Sequence, residues 1–591
     1  MIALWGALWY IGNITKRRQS MSAVFFLFSA FLIRIFWPKV KPGIHWICPV
    51  LGCALPFAAG GFHTATTAVL CLILAIAVFE QICKNGIVYL WRNRTGISIL
   101  LLFIAYCITP FWAADKGMAG FAFSRYLPLV LYTLLIMQSP DEIRHHFLKM
   151  LPFCGCLMTI VSGLAVLFPE LYPYVTVNGR LAGFFQYPNS FAAFLLVGLI
   201  IQSYHASGKS AFPVILLLTA GIVLSGSKTV FVLLLLFMSA IVLVRHHKAL
   251  TFKLAAALLC GLAAGFLADA LGLLTNADRF TAISASSGTF LVRLLYFRDV
   301  IPTVLSHPFG IGYMGYPAIE GAIQTGRYYV AYIHNGFLQL LLEIGWIPTV
   351  FLIFSLLSAV LSRKTIEMYR FILLAILCHC MLDFDLQFPV FWIILLSCTN
   401  LRSGKQMVIK ACKTVQFVSA ILVAVALWLG CGDWLYRMER PDLTLRITPF
   451  HTDALTYQMS VSTDPDQMDQ LADRILSFSP THSLAFSAKA NVAFSRGDVR
   501  AMIRYKENAI HSSRYTTAEY CDYFQKLYTA MQLYLQAGDT ESATQCRKKL
   551  LEIPEMMTAV SQQTHPLAYL TGDDSTLVLP QEYEALLQQL K

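Results

Sequence analysis

The chain has 591 residues, 57% hydrophobic and 13% charged, with a mean hydropathy of +0.61. Soluble globular chains are nearer half apolar and a quarter charged, which excludes an ordinary soluble enzyme and a disordered protein. The net charge of +12 is unevenly placed: residues 433–591 hold 15 Lys and Arg against 20 Asp and Glu, a net −5, which leaves +17 for residues 1–432.

In chain order, apolar runs lie at 22–37, 44–60, 64–83, 96–112, 122–138, 147–168, 188–204, 211–225, 228–244, 253–273, 337–360, 368–386, 389–401 and 412–432. Each is close to the roughly 20 residues that cross a hydrocarbon core, so the expected fold is all-α: a polytopic helical membrane protein of about 12–14 spans. The run at 389–401 is too short to span upright unless its neighbour lends residues. Met1–Ile14 is apolar but lacks the basic start and small-residue cleavage site of a signal peptide. The cysteines are scattered, several inside apolar runs (Cys71, Cys154, Cys156, Cys260), with no C-x-x-C pair or zinc spacing, and are read as packing residues.

Orientation follows from Lys and Arg. The connections at 38–43, 84–95, 139–149, 205–210, 245–253, 362–370 and 401–413 hold 18 of them; those at 60–63, 113–121, 169–187, 225–228 and 383–388 hold 3. The first set is expected to face the cytoplasm. The second set, the long segment 274–336 and the tail then face outward. Lys16, Arg17 and Arg18 resist this scheme, since they fall outside if 22–37 spans. The positive charge belongs to the membrane part, and there is no Walker loop or nucleic-acid signature, so no nucleic-acid partner is expected.

Three parts follow: N-terminal transmembrane helices over 1–178, a transmembrane core over 179–432 with the outside loop 274–336, and an extracytoplasmic helical domain over 433–591. In the tail, the stretches Ala493–Asp498 and Leu535–Asp539 resemble each other, each a small-residue turn followed by an amphipathic segment. Such turns are the unit of tetratricopeptide-like repeats, although the spacing is 41 rather than 34.

Polar groups gather at the outer ends of the runs. The loop 274–336 carries Arg279, Arg293, Arg298, Arg327 and His307, and it ends in Tyr328-Tyr-Val-Ala-Tyr-Ile-His-Asn335. His334 opens a span at the outer interface, where an imidazole can take a proton near neutral pH; the bland alternative is an interfacial cap. Asn335, Gln339 and Glu343 follow on one side, a costly set unless it lines a cavity. Arg180 precedes one span, and Lys228 sits in the tight break Ser225-Gly-Ser-Lys228. Both either snorkel to lipid phosphate or converge on a pyrophosphate. His379 and Asp383 are four residues apart, which puts them on one helix face. Asp383-x-Asp385 is read as part of a His–Asp pair or helix-end cap rather than as a metal site.

The run from about 180 to 390 resembles the core of the O-antigen ligase and polymerase superfamily, which also holds bacterial O-oligosaccharyltransferases. The pieces that carry the likeness are Gly179-Arg-Leu-Ala-Gly with Pro188-Asn189, Ser225-Gly-Ser-Lys, Arg293 with Ser306-His-Pro-Phe-Gly-Ile-Gly312, His334-Asn-Gly-Phe-Leu-Gln339 with Glu343-Ile-Gly345, and His379 with Asp383. The resemblance implies a multi-pass enzyme of the cytoplasmic membrane. It would transfer a glycan en bloc from undecaprenyl pyrophosphate to a glycan, lipid or protein acceptor outside, with no cofactor and no metal. It implies His334 as the base, Arg180, Lys228 and Arg293 as pyrophosphate holders, and Asn335, Gln339, His379 and Asp383 as supports. Lys228 departs from the usual Arg, keeping the charge but losing the planar fork. The alternatives are a lipid-linked glycan polymerase and a flippase.

Overall fold

The computed structural model describes residues 44–205, 211–275, 288–410, 413–571 and 575–590. The expected span at 22–37, the trio Lys16–Arg18 and Arg279 lie outside the described residues. The described chain is almost entirely helical. Seven of its helices are long and apolar enough to cross a membrane: Thr64–Asn85, Arg94–Phe111, Lys116–Gln138, Glu142–Ala165, Lys228–Arg245, Lys248–Ala270 and Gln416–Arg437.

On Thr64–Asn85 the side chains of Val69, Leu72, Ile76 and Phe79 are exposed at helical spacing. In lipid such a stripe is a contact face and carries no penalty. Pro188–His205 is the opposite case, buried nearly all round. It is the central helix, packed on Glu142–Ala165, Ala211–Leu224 and Glu367–Cys380. Small residues let backbones approach elsewhere: Gly430 lies against Ala68, and Gly261 against Ala220. Cys71, Cys154 and Cys156 are buried as expected of packing residues, whereas Cys260 is exposed.

Three expected spans are broken. The run 44–60 holds one short apolar helix, Ile47–Phe57, and leaves helical geometry at Ala58 and at Gly60, whose φ is 61°. The run 337–360 splits into Gly336–Ile344 and Trp346–Leu361 at Gly345, whose φ of 80° and ψ of −170° no helix contains. In 368–386 the helix Glu367–Cys380 stops early, leaving 381–384 irregular before a short turn at Asp385–Gln387. Non-helical backbone at membrane depth persists only where protein or a cavity satisfies it. Two of these breaks meet: Phe62 packs on Phe388 at 5.0 Å, and Arg125 donates to the carbonyl oxygens of Phe62 and Gln387.

The ends of the bundle gather the segments that charge counting had sorted. At one end Ile87–Arg92 pairs antiparallel with Lys405–Lys410, joining connections 84–95 and 401–413. At the other, the tail meets the loop before His334. Thr481 Oγ1 donates to the Ala318 carbonyl at 2.8 Å, His565 N to the Thr325 carbonyl at 2.8 Å, and Arg327 N to Ser575 Oγ at 3.0 Å. That loop holds two helices, Gly288–Ser306 and Gly315–Ile323, around a core of its own that includes Leu295, Tyr296, Tyr316 and Ile333. In the tail, Gly497 and Gly538 have φ of 77° and 76°. Asp498 and Asp539 then cap the following helices through Ala501 N and Ser542 N. The two similar stretches therefore share one turn geometry.

Glu320 gives this loop a testable pH dependence. Its Oε1 accepts from Val330 N at 2.7 Å, and burial raises its pKa to about 8. Because the folded pKa is raised, the contribution is present below the ordinary value of 4.5 and is lost as pH rises through about 8. Glu320→Gln is expected to raise the melting temperature at about pH 9 and to give no gain near pH 4. Scanning fluorimetry of the detergent-solubilised protein reads this directly.

Candidate functional site

The broken helix at 336–344 positions His334. Asn335 caps it, accepting from Phe337 N and Leu338 N at 3.0 Å each, while its Nδ2 donates to the Met381 carbonyl at 3.0 Å. Gly336 N donates to the Asp383 carbonyl at 3.0 Å. These bonds stitch the His334 segment to the turn after Cys380. Gln339 Oε1 accepts from Ile333 N at 2.8 Å, and its Nε2 donates to Glu343 Oε1 at 2.7 Å. Tyr106 donates to the other Glu343 oxygen. Gln339 and Glu343 are thus buried supports of the backbone before His334, rather than lining of a cavity.

The carbonyls freed at Gly345 are taken up by the stretch 307–312. Ile311 N donates to the Leu342 carbonyl at 2.6 Å and Gly312 N to the Glu343 carbonyl at 3.0 Å. Gly310, at φ 77°, passes so close that a Cβ would sit 2.5 Å from the Glu343 carbonyl oxygen. Gly310→Ala is therefore expected to cost about 1–3 kcal/mol of stability, measured as a loss of melting temperature in detergent.

Asp383 is the hub. It is fully buried and accepts from Tyr187 Oη at 2.8 and 3.0 Å and from Asn189 Nδ2 at 2.7 Å. Arg293 Nη2 lies 3.6 Å from it, and Arg293 Nη1 donates to the Leu382 carbonyl at 2.6 Å. Asn189 Oδ1 in turn accepts from Arg180 Nη2 at 2.7 Å, and Arg180 Nε donates to the Ser225 carbonyl at 2.9 Å. Ser225 opens the turn that ends in Lys228, where Ser227 caps the helix Lys228–Arg245. A continuous polar chain therefore joins Arg293, Asp383, Asn189, Arg180 and the Lys228 turn, drawing on four separate stretches of sequence.

His334 stands beside this chain in an aromatic cage. Its ring centroid lies 5.2 Å from Phe384, 5.7 Å from Tyr296 and 6.4 Å from Tyr187. Its Nδ1 is buried with no hydrogen-bond partner. Burial lowers its pKa to about 4, with Asp383 and Arg293 acting in opposite directions. The imidazole is neutral at pH 7, with a lone pair free to take a proton.

The expected His–Asp pair forms, with Asp385 and not Asp383 as the partner of His379. The helix ends at Cys380, so Asp383 leaves the His379 face and turns to Arg293 and Tyr187. His379 Nδ1 bonds Asp385 instead, whose other oxygen accepts from Ser190 Oγ at 2.6 Å. Among the described residues no group of His, Cys, Asp and Glu is arranged to hold a metal ion. Tyr187 and Tyr296 are site residues that the sequence reading did not single out. Tyr296 sits one helical turn after Arg293, and Tyr187 immediately precedes Pro188-Asn189.

The sequence model of the O-antigen ligase family matches residues 213–353. The matched segment carries Lys228, Arg293, His334 and both halves of the capping arrangement at Gly310 and Gly345. It relates the chain to that family, while Arg180, Asp383 and the whole tail lie outside it. No curated protein matches the chain.

Proposed function

We propose that this O-antigen ligase-related membrane protein transfers a glycan en bloc from undecaprenyl pyrophosphate to an acceptor hydroxyl on the extracytoplasmic face of the cytoplasmic membrane. The observation that carries the reading is the unpartnered, neutral imidazole of His334 held beside a chain of cations ordered around Asp383. His334 removes the acceptor O–H proton as the new bond to the anomeric carbon forms. The bond from that carbon to the pyrophosphate oxygen breaks, and its electron pair leaves with the pyrophosphate. Arg180, Lys228 and Arg293 stabilise that departing charge. Tyr187, Asn189 and Asp383 fix the arginines in place, and Asn335 and Gln339 fix the histidine. His379, tied to Asp385 and Ser190, steadies the turn that carries Asp383. The pyrophosphate is already a good leaving group, so side chains suffice for acid–base and charge-stabilising work. The matching turns at Gly497 and Gly538 support a tetratricopeptide-like reading of the tail, as a domain that presents the acceptor.

The test is a proteoliposome assay with a lipid-pyrophosphate glycan donor, a panel of acceptors and a chelator present. The expected result is a glycosylated acceptor and released lipid pyrophosphate. Use of a second lipid-linked glycan as acceptor would make the protein a polymerase. Donor translocation with the glycosyl bond intact would make it a flippase and overturn the reading.

A further inference from the structure

The helix Gly288–Ser306, which carries Arg293 and Tyr296 to the site, has two unlike flanks. Leu295, Tyr296, Asp299, Val300, Thr303 and Val304 are buried in the fold. Leu294, Ile301 and Leu305, spaced to share the other flank, are exposed, Leu305 by 61%, and so is Phe309 just beyond the helix, by 64%. A row of large apolar side chains left in water is costly and marks a surface that meets something else.

The position of the helix decides what meets that row. Near its start Arg293 Nη1 donates to the Leu382 carbonyl at 2.6 Å, in the turn after Glu367–Cys380. Near its end Trp346 Nε1 donates to the Val304 carbonyl at 2.9 Å. Both parts rest on helices of the bundle, so the helix lies across its tail-side end and does not rise from it. Loop and tail cover it from another side: Asp299 accepts from Thr325 N at 2.8 Å and Tyr328 Oη at 2.9 Å, and Ala568 shares a core with Leu295.

The remaining flank continues the apolar sides of two membrane helices. Ile97, Leu101, Ile104, Ile108 and Phe111 are exposed along Arg94–Phe111, and Ile347, Val350, Phe354, Leu357 and Leu361 along Trp346–Leu361, both at helical spacing. The two rows end beside Phe309. Its ring lies 6.4 Å from that of Trp112, whose Nε1 donates to the Gly310 carbonyl at 3.1 Å, and the Pro308 carbonyl accepts from Trp346 N at 2.9 Å, at the Gly345 break. Indoles at the ends of spans mark the membrane–water interface. The polar residues of this flank turn back to the protein, as groups in lipid must. Ser306 Oγ donates to the Pro302 carbonyl at 2.9 Å, His307 Nδ1 lies 3.0 Å from the Thr303 carbonyl, and Arg298 Nη1 reaches Asp299 Oδ1 and Thr325 Oγ1 at 3.4 Å each.

We propose that Gly288–Ser306 is an interfacial helix, seated in the leaflet on the tail side with Leu294, Ile301, Leu305 and Phe309 among the acyl chains. Phospholipid is then a structural partner of the helix that holds Arg293. The seat stands apart from the transfer reading; its effect on the donor rests on that reading.

The test uses the full chain in nanodiscs of phosphatidylethanolamine and phosphatidylglycerol. The photoreactive residue p-benzoylphenylalanine replaces Ile301, Leu305, Val350 of the lipid-facing helix, or Leu535, which is exposed on the tail. After irradiation, intact mass spectrometry is expected to show phospholipid adducts at 301 and 305 as at 350, and none at 535. Adducts at 350 alone overturn the seat. A covalent dimer at 301 or 305 overturns it too, by placing a second copy on this flank. In proteoliposomes, Ile301→Glu combined with Leu305→Glu is expected to raise the donor KM about tenfold with the acceptor KM within about twofold, while Ile301→Leu combined with Leu305→Met keeps both at the wild-type values. Melting curves in detergent check that the charged pair is folded. An unchanged donor KM in the folded charged pair overturns the link from seat to Arg293. Phospholipid adducts in a chain that transfers no glycan remove the transfer reading and leave the seat.

Discussion

Replacing His334 by alanine is expected to lower the turnover of glycan transfer by roughly 10²–10⁴-fold, the usual contribution of a positioned general base. Donor binding is expected to persist, because Arg180 and Arg293 are held by Asn189, Asp383 and backbone carbonyls and not by the imidazole. Single-turnover assays with bound donor separate the two effects. The pH profile adds a second reading. Burial holds the His334 pKa at about 4 against an ordinary 6.5. The neutral form is the active one, so kcat/KM stays level as pH falls from about 7 to 5 and drops only as it passes about 4. An acid limb at 6.5 would show the imidazole solvated, and an unchanged turnover in the alanine variant would remove it from the chemistry.

Asp383→Ala is expected to cost about 3–5 kcal/mol of stability, because removing one member of a buried pair strands the other. The carboxylate gathers Tyr187, Asn189, the Phe384 N–H and Arg293 at a site with no accessible surface. Without it Arg293, whose side chain is only 16% exposed, is left without its counter-ion, and Tyr187 and Asn189 lose an acceptor. Asp383→Asn keeps the shape and one acceptor oxygen, and is expected to cost less. Adding Arg293→Met to the alanine variant is expected to recover part of the loss. Melting curves of the four proteins in one detergent give the comparison; an alanine variant as stable as wild type would show that Arg293 has another counter-ion.

The residues that sequence singled out were legible because they are polar groups beside apolar runs. Arg180, Lys228 and His334 stand at the ends of such runs and Arg293 in the loop between two of them, and the structure links Arg180, Arg293 and the turn that leads to Lys228 through a single chain of hydrogen bonds and an ion pair beside His334. Asp383 was placed near the site but given the wrong partner. A four-residue spacing implies a shared face only while the helix continues, and Glu367–Cys380 ends first. The break at Gly345 was hidden for a related reason. The stretch 337–360 is apolar throughout, and what splits it is the distant backbone of 308–312 capping its freed carbonyls. Tyr187 and Tyr296 looked like ordinary interfacial aromatics. Local pattern reports which residues are out of place, and only tertiary packing reports what they are out of place for.

The seam between the tail and the loop before His334 also sets a schedule. Arg327 and Ser575 are 248 residues apart in sequence, and His565 closes on Thr325 across a similar interval. At ordinary elongation rates of about 5–20 residues per second, the second half of each contact leaves the ribosome roughly 10–50 s after the first. Throughout that interval the loop before His334 lacks these bonds to the tail, so the arrangement around it is complete only once the last residues of the chain have left the ribosome and folded back.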